Sequence, residues 1–428
     1  MKKVYFKTFG CRTNIFDTQI MMNKLQDFEV SSCERDADIV IINSCTVTNS
    51  ADSTARNYIN SLKKLPLNPR IIFTGCGVWT KGEDLFKNKK IDALFGHSEK
   101  EKINTLLKDD TRFFKAGDLD HIDDTIIEKM IGKSRAFVKI QEGCNFRCSY
   151  CIIPFVRGDS RSYDEHKILQ QITTLAINGF GEFILTGTNV GSYGKEHGIE
   201  NKKDKLAQLL KKISMIRGVR RIRLGSVEPV QITDEFKEIL DEPWMGKHLH
   251  IALQHTNKQM LKLMNRRNKV KSDLELFEYL ADKGYALGTD FIVGHPGESD
   301  ELWKDAMQNL DRFPLTHCHS FTYSKRDGTL SAQMNMQVNG AVAKTRLKQL
   351  DEKIKDKNFL FRKKQKHLDI LIESKKVQNT KTTQTSDIYT GYDQFFNIME
   401  IESKEDIVGD WLSISNYKAQ ENHNVSKF

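Results

Sequence analysis

The chain has 428 residues, of which 39% are hydrophobic and 29% are charged, and its formal net charge at pH 7 is +9. This balance is ordinary for a globular protein and excludes a disordered or a membrane-embedded chain. The length predicts two to three domains, and the positive charge favours an anionic partner such as nucleic acid.

The first residues contain no apolar run long enough for a signal peptide, and no later stretch approaches the roughly 18 apolar residues of a membrane span. We therefore expect a cytoplasmic protein with no membrane partner. A reducing cytoplasm keeps thiols free, so the eight cysteines are better interpreted as metal ligands or catalytic groups than as disulfides.

Residues 1–95 alternate short apolar runs with segments of helical character. Strands are predicted at VYFKTFG, DIVIINS and IIFTG, and helices at DTQIMMNKLQDF and ADSTARNYINSLKKL. This α/β alternation predicts a Rossmann-like parallel sheet with helices on its faces. A polar segment around Lys108 to Lys129 is interpreted as the linker out of this first domain, which we assign to residues 1–115.

A second α/β series begins near Arg135. Its candidate strands are AFVKI, EFILTG, RIRLGS, HLHIAL, GTDFIVG and HCHSFTYS. Six such units predict a partial (βα)6 TIM-like barrel, and a long closing helix is predicted from about Ala341 to Leu368. We assign residues 130–365 to this domain, and residues 366–428 to a small β-rich domain because apolar and polar residues alternate there.

The barrel domain contains a run of three cysteines, Cys144, Cys148 and Cys151, spaced C-x3-C-x2-C after the first candidate strand. A zinc site would require a second C-x2-C pair, which the sequence does not contain. Three thiolates can instead hold three irons of a [4Fe-4S] cluster and leave the fourth iron open to a small molecule. This spacing resembles the radical-SAM superfamily, in which the open iron binds the amino and carboxylate groups of S-adenosylmethionine (SAM).

Polar residues stand at the carboxyl ends of the later barrel strands, where barrel enzymes carry their active sites. They are Thr186, Asn189, Ser226, Glu228, Gln254, Asp290, Ser324 and Arg326. The resemblance implies that the segment after the second strand holds the methionine end of SAM and that later strands bind its ribose. Thr186, Glu228 and Asp290 are therefore the candidate SAM ligands, and no catalytic residue is predicted beyond the cluster ligands.

Three further cysteines, Cys11, Cys45 and Cys76, each follow a predicted strand of the first domain. The carboxyl ends of parallel strands share one edge of a sheet, so these thiols are expected to converge there. Helix amino termini at that edge would lower the pKa of the thiols and favour metal binding. The pattern predicts a second cluster with an open iron, whereas Cys33 and Cys318 are interpreted as ordinary residues.

The segments GCRTNIFDTQ, NSCTVTNSADSTAR, TGCG and EGCNFRCSYCIIPFVRG resemble the methylthiotransferase family, and their order matches over nearly the whole chain. The resemblance implies an amino-terminal cluster domain, a radical-SAM barrel and a TRAM-like RNA-binding domain. It implies two [4Fe-4S] clusters and two SAM molecules, which replace an aromatic C–H by C–SCH3, and an electron donor such as flavodoxin or ferredoxin. One SAM donates its methyl group to a sulfur at the auxiliary cluster, and the other yields the radical that removes the hydrogen.

The segment NSCTVTN resembles the subgroup that acts on N6-threonylcarbamoyladenosine next to the anticodon of tRNA. Isopentenyladenosine in tRNA is one alternative, and an aspartate of a ribosomal protein is another because CNFRCSYCIIPFVRGD is close to that subgroup's motif. A non-catalytic iron-sulfur RNA-binding protein is the alternative of another class. Electron carriers normally have four protein ligands per cluster, so three cysteines per site favour an enzyme.

Basic residues are expected to position tRNA through its phosphates. They are Arg12, Arg56, Arg157, Arg161, Arg266, Arg267, Arg362, Lys363 and Lys364. Neither a DNA partner nor a second subunit is expected. The segment HLHIALQHTNKQM keeps Gln254 of the family's turn, but the small residues that follow it in many members are replaced, so we expect this loop of the cofactor pocket to have another shape.

Overall fold

The structure is a computed structural model that describes residues 1–195, 204–376 and 386–427. The amino-terminal sheet has six parallel strands in the order β2-β1-β3-β4-β5-β6. Its elements are β1 (Lys2–Thr8), α1 (Arg12–Lys24), β2 (Phe28–Val30), β3 (Ile39–Ser44), α2 (Asn49–Leu62), β4 (Arg70–Gly75), α3 (Gly82–Lys87), β5 (Ala93–Phe95), α4 (Ile103–Lys108) and β6 (Phe113–Lys115).

Strand β3 is buried along its whole length. Val40 and Ile42 belong to the core on one face of the sheet, and Ile39 and Ile41 to the core on the other. Because side chains alternate between faces, a strand covered by helices on both sides must be apolar throughout. This explains why DIVIINS reads as a continuous apolar run.

The central domain contains two three-stranded parallel sheets, ordered β11-β10-β7 and β12-β13-β14. Isolated bridges from Ile222 to Met245 and from Val227 to Ile251 join the two sheets. The six strands therefore curve into one open barrel, and the predicted (βα)6 fold is confirmed. They are β7 (Ala136–Lys139), β10 (Glu182–Thr186), β11 (Arg221–Leu224), β12 (His248–His250), β13 (Ala286–Val293) and β14 (His317–Thr322).

A two-stranded ribbon and eight helices complete this domain in the described residues. The ribbon consists of β8 (Gln141–Glu142) and β9 (Arg161–Ser162). The helices are α5 (Ile153–Arg157), α6 (Glu165–Ile177), α7 (Lys205–Ser214), α8 (Asp234–Lys237), α9 (Lys258–Leu263), α10 (Val270–Asp282), α11 (Asp300–Arg312) and the long closing helix α12 (Gly340–Lys364).

The carboxyl-terminal domain is a separate six-stranded sheet ordered β18-β15-β16-β17-β20-β19. Its strands pair antiparallel except for the parallel pair β17 and β20. Tyr389, Met399 and Ile401 are buried in its core. The strands are β15 (Leu368–Lys375), β16 (Asp387–Tyr392), β17 (Ile398–Ser403), β18 (Trp411–Ile414), β19 (Lys418–Ala419) and β20 (Asn424–Lys427).

The segment around Lys108 to Lys129, which was predicted to be a polar linker, packs against both neighbouring domains. Strand β6 lies within it and adds a sixth strand to the amino-terminal sheet. Asp123 and Ile127 are both buried, because the segment crosses the interface between the sheet and the barrel. None of the helices in the described part of the chain is both long and apolar enough to cross a lipid bilayer.

Candidate functional site

A cavity of about 330 Å³ opens at the carboxyl ends of the barrel strands. Cys144, Cys148 and Cys151 form one wall of it, on the loop between β8 and α5. Residues from the later strand ends also line the cavity, and they include Asn189, Ser226, Glu228, Gln254, Asp290 and Ser324. The cysteine run and most of the predicted strand-end residues therefore face the same space.

Hydrogen-bond donors point at the sulfur atoms of this run, and one of them is the backbone N–H of Ile153 at Cys151. The backbone N–H of Phe146 donates to Cys144 Sγ at 3.4 Å, and the side-chain amide of Asn189 approaches the same sulfur at 3.8 Å. The guanidinium of Arg266 lies 3.6 Å from Cys148 Sγ. Such donors stabilise negative charge on sulfur, as cluster thiolates require.

Burial acts in the opposite direction on the thiols of Cys144 and Cys151. It raises the pKa of Cys144 and raises the pKa of Cys151 to about 12, so the thiols are neutral unless a cation compensates for the lost solvation. An iron-sulfur cluster supplies that cation, because coordinated thiols are deprotonated by the metal. The donor set and the open cavity beside it fit a [4Fe-4S] cluster with one exposed iron.

The two acidic candidate SAM ligands are held by neighbouring bases. Arg266 forms a bidentate ion pair with Glu228, and burial raises the pKa of that carboxyl group although Arg266 opposes the shift. Asp290 Oδ1 lies 3.2 Å from His250 Nε2 and 3.5 Å from His319 Nδ1. Burial would raise the pKa of Asp290, but the two imidazoles outweigh it and hold the pKa well below its ordinary value.

Thr186, the third candidate SAM ligand, has a different environment. It is buried at the end of β10, and its carbonyl oxygen accepts a hydrogen bond from the backbone of Ile140. From the loop that follows it, Thr188 and Asn189 line the cavity. Gln254 also lines the cavity and has φ +66°, which a backbone bridge to β13 stabilises.

The second cysteine set lies at one edge of the amino-terminal sheet. Cys11, Cys45 and Cys76 directly follow the ends of β1, β3 and β4 or their short turns, and these strands are neighbours. Gly10, at φ +96°, allows the first loop to approach the second, because a Cβ there would lie 2.5 Å from Cys45 Cβ. Burial raises the pKa of Cys45 and, although Arg157 opposes it, raises that of Cys76 to about 12. The expected lowering of these two pKa values is therefore wrong, and both thiols need a metal cation to ionise.

Two residues that the sequence analysis missed or interpreted differently connect the cysteine sets. Arg157, at the end of α5, donates through Nε to Cys76 Sγ at 3.2 Å and through Nη2 to Asn14 Oδ1 at 2.5 Å. The side-chain amide of Asn14 donates to the carbonyl oxygens of Phe9 and Ser44. Asn14 thus ties together the loops that carry Cys11 and Cys45, and Arg157 ties the barrel to Cys76.

Arg157 belongs to a buried network of charged side chains, which we call the interface network. Its members are Asp17, His97, Lys100, Asp123, Lys139, Glu142 and Arg157. Burial alone would raise the pKa of Asp17, but Lys100, Lys139 and Arg157 outweigh it and hold the pKa far below its ordinary value. Residues of both the sheet and the barrel contribute, so the network forms only when the two domains are docked.

The amino-terminal domain also contributes to the cavity itself. Val47 and Thr48, which follow Cys45, line it together with the barrel cysteines. The cavity is therefore an interdomain site, which the sequence analysis did not anticipate for these two residues. The only available signal was their place directly after a cysteine at a strand end.

Several of the predicted tRNA-contacting residues are unavailable to phosphates. Arg157 and Arg362 are buried, and the side chain of Arg266 is 2% exposed in its pair with Glu228. Their predicted contact with tRNA is wrong because each guanidinium already donates hydrogen bonds to oxygen atoms of the protein. Arg56, Arg267, Lys363 and Lys364 are exposed and stay candidates.

Comparison with known proteins agrees with this arrangement. The sequence profile of the Radical SAM superfamily matches residues 138–310, and that of Uncharacterized protein family UPF0004 matches residues 3–96. The chain is 49% identical over 430 residues to a provisionally named methylthiotransferase of Helicobacter pylori (strain ATCC 700392 / 26695), with 100% of both chains covered. The chain belongs to the radical-SAM methylthiotransferase family.

Another methylthiotransferase is similar over most of its length. The threonylcarbamoyladenosine tRNA methylthiotransferase MtaB of Aquifex aeolicus (strain VF5) is 33% identical over 388 residues, which cover 86% of this chain and 92% of the relative. The fold is similar to that of the radical S-adenosylmethionine methyltransferase TsrM from Kitasatospora setae, with a TM-score of 0.59, 14% identity, and coverage of 78% and 77% of the two chains. Its family membership makes the chain described here a radical-SAM enzyme that uses SAM and iron-sulfur chemistry.

Proposed function

We propose that this methylthiotransferase acts on C2 of N6-threonylcarbamoyladenosine next to the anticodon of tRNA. Cys144, Cys148 and Cys151 hold one [4Fe-4S] cluster, and Cys11, Cys45 and Cys76 hold another. The MtaB relative and the NSCTVTN segment that contains Cys45 support this choice of nucleoside. We further propose that the carboxyl-terminal sheet contacts the tRNA, that the chain is a cytoplasmic monomer, and that flavodoxin or ferredoxin supplies electrons.

The observation that carries the proposal is the composition of the cavity wall. Three barrel cysteines and the segment after Cys45 border the same cavity. When bound, the clusters and SAM supply a sulfur-bound methyl group and a 5'-deoxyadenosyl radical, which together replace C–H by C–SCH3. Both kinds of chemistry have to reach one substrate atom, and an interdomain cavity satisfies that requirement.

The protein's own residues orient and shield the reactants. The fork of Arg266 fixes the carboxylate of Glu228, and His250 and His319 fix that of Asp290. Both carboxylates face the cavity, where they can accept hydrogen bonds from the hydroxyl and amino groups of SAM. Val47 and Thr48 line the cavity from the amino-terminal side and form part of the wall that a substrate would close against water.

Mass spectrometry of tRNA nucleosides tests the proposal. A strain without the gene is compared with the same strain complemented by the wild type, by Cys45→Ala and by the matched control Cys33→Ala. We expect 2-methylthio-N6-threonylcarbamoyladenosine to disappear, and to return with the wild type and the control only. A change confined to methylthiolated isopentenyladenosine would move the substrate to that nucleoside, and unchanged tRNA would favour the ribosomal aspartate or a non-catalytic role.

A further inference from the structure

The segment after β14 reaches from the barrel to the amino-terminal domain. Ser324 Oγ accepts a hydrogen bond from the backbone N–H of Asn49 at 2.8 Å. Arg326 donates through Nη1 to Asn49 Oδ1 at 2.7 Å and through Nη2 to Thr46 Oγ1 at 2.9 Å. Its Nη2 also lies 2.5 Å from the carboxylate of Asp52. The segment after β14 thus contacts the amino-terminal domain at three residues, Thr46, Asn49 and Asp52.

The contacts of Arg326 with Thr46 and Asp52 are protected from solvent, whereas the hydrogen bond between Ser324 and Asn49 is exposed. The side chain of Arg326 is 5% exposed and that of Asp52 is 8% exposed, while Thr46 is fully buried. A buried ion pair with further hydrogen bonds keeps its geometry, since a lost partner would leave an uncompensated charge. The planar guanidinium serves several acceptors at once, which a lysine ammonium cannot do with the same directions.

The contacted segment has two neighbours that matter for the proposed chemistry. It begins immediately after Cys45, and its residues Val47 and Thr48 form part of the cavity wall. Thr46 Oγ1 is also within 2.7 Å of Thr80 Oγ1, in the turn that follows Cys76. A shift of Arg326 would therefore move the cavity wall and the surroundings of two proposed auxiliary ligands together.

We propose that Arg326 is a positioning residue that, with Ser324, sets the place of the auxiliary cysteine Cys45 relative to the barrel cysteines. The proposal rests on the proposed function, because it assigns a cluster to Cys45. Arg326 contacts neither reactant and acts through the segment Thr46–Asn49. Replacing Arg326 leaves SAM cleavage at the barrel cysteines intact. It misplaces the sulfur held at the auxiliary cluster, which has to be transferred to the substrate carbon after the hydrogen is removed.

The test uses the cluster-loaded full chain, dithionite as electron source and tRNA from the deletion strain. Arg326→Lys is compared with wild type and with Arg135→Lys, a control in which a buried arginine pairs with Glu373 of the carboxyl-terminal sheet at 2.7 Å. We expect Arg326→Lys to raise the amount of 5'-deoxyadenosine released per methylthiolated nucleoside by about tenfold or more, because small misplacements cost large factors in rate. In Arg326→Lys, the rate of SAM cleavage stays within about twofold of wild type. In Arg135→Lys, the ratio of 5'-deoxyadenosine to methylthiolated nucleoside stays within about twofold of wild type.

A second measurement separates this proposal from the substrate assignment. Hydrogen exchange of the loaded chain is followed at the amides of residues 46–52, and the auxiliary cluster is recorded by EPR in a Cys144→Ala, Cys148→Ala, Cys151→Ala background with and without Arg326→Lys. Faster exchange and a changed EPR spectrum support positioning even if the tRNA nucleoside is wrong. Unchanged exchange and spectrum, or a parallel fall of cleavage and product in Arg326→Lys, would overturn it.

Discussion

The Nε atom of Arg157 lies 3.2 Å from the Sγ atom of Cys76, although the two residues belong to different domains and are 81 positions apart in the chain. Burial would lower the pKa of this arginine, but Cys76, Glu142 and Asp17 hold it well above the ordinary value. Arg157 therefore carries a permanent positive charge beside a proposed cluster ligand. Hydrogen bonds to cluster sulfurs are among the features that set reduction potentials.

Single cysteine substitutions should show that the bound iron occupies two separate sites. We expect Cys148→Ala and Cys76→Ala each to lose about half of the bound iron, since three thiolates hold one cluster. Each variant should keep the EPR signal of the other cluster. Iron analysis after anaerobic reconstitution checks this, with Cys318→Ala as the control that retains all iron, and equal iron in Cys76→Ala and wild type would remove Cys76 from the ligand set.

The interface network should make a buried lysine indispensable for stability. Lys139 Nζ lies 2.6 Å from Asp17, 2.9 Å from Asp123 and 2.7 Å from Glu142, and its side chain is fully buried. Lys139→Met removes the ammonium that contacts all three carboxylates, while Lys100 and Arg157 each contact two of them. We expect this to cost about 3–5 kcal/mol of unfolding free energy. Urea unfolding measures the loss.

Lys167→Met is the matched control, because Lys167 pairs with Asp124 on the surface and exposed pairs contribute little. We expect its unfolding curve to overlay that of the wild type. Equal curves for both lysine variants would mean that the buried carboxylates find other compensation.

Stability should fall at alkaline pH through His121. Hydrogen bonds to Asp123 and Glu101 raise the pKa of His121 to about 9, against the effect of burial. A pKa above the unfolded value of about 6.5 contributes stability that is complete below pH 6.5 and is lost as the pH rises through 9. The residue is partly exposed, so we expect a loss of about 1 kcal/mol after allowance for solvent screening.

The check is urea unfolding at pH 6, 7.5 and 9.5 for the wild type and His121→Gln. The difference between the two proteins should be largest at pH 6 and should shrink toward pH 9.5. A constant difference across this range would assign the effect of the substitution to packing.

The candidate SAM ligands should differ in their effect on cofactor affinity. Glu228→Gln and Asp290→Asn remove carboxylates that face the cavity, and we expect each to raise the dissociation constant of SAM by about tenfold, since a hydrogen bond to a charged group contributes about 1.5–3 kcal/mol. Thr186→Val should leave the dissociation constant unchanged because Thr186 is buried and is not among the residues that line the cavity. Equilibrium dialysis of the cluster-loaded protein measures the dissociation constant of SAM. Weaker binding in Thr186→Val alone would assign SAM binding to Thr186 and remove Glu228 and Asp290 from the ligand set.

The fold could be predicted because strands and helices are specified by the pattern of residues that are close together in the chain. The apolar run DIVIINS specifies the buried strand β3, and the alternation of strands with helices specifies parallel sheets in both α/β domains. The common edge for Cys11, Cys45 and Cys76 also followed from topology, because parallel strands end on the same side.

The interface network could not be predicted in this way. Asp17 and Lys139 are 122 positions apart, and each lies in a segment whose local pattern indicates only a helix or a buried strand. Whether a charged side chain faces solvent or another domain is decided by docking, which no short window of sequence encodes. The same reason explains why Arg157 was interpreted as a phosphate contact and Arg326 as an active-site residue of the barrel.

The interface network has a consequence for synthesis of the chain on the ribosome. The amino-terminal sheet emerges before the barrel, and the face that will later be covered carries Asp17, His97 and Lys100. Until residues 139–157 follow, water hydrates these charged groups, and Phe16 and Ile20, which later pack in the hydrophobic core of the barrel, lack their cover. Both the charged and the apolar parts of this face therefore gain their partners only when the barrel has been made.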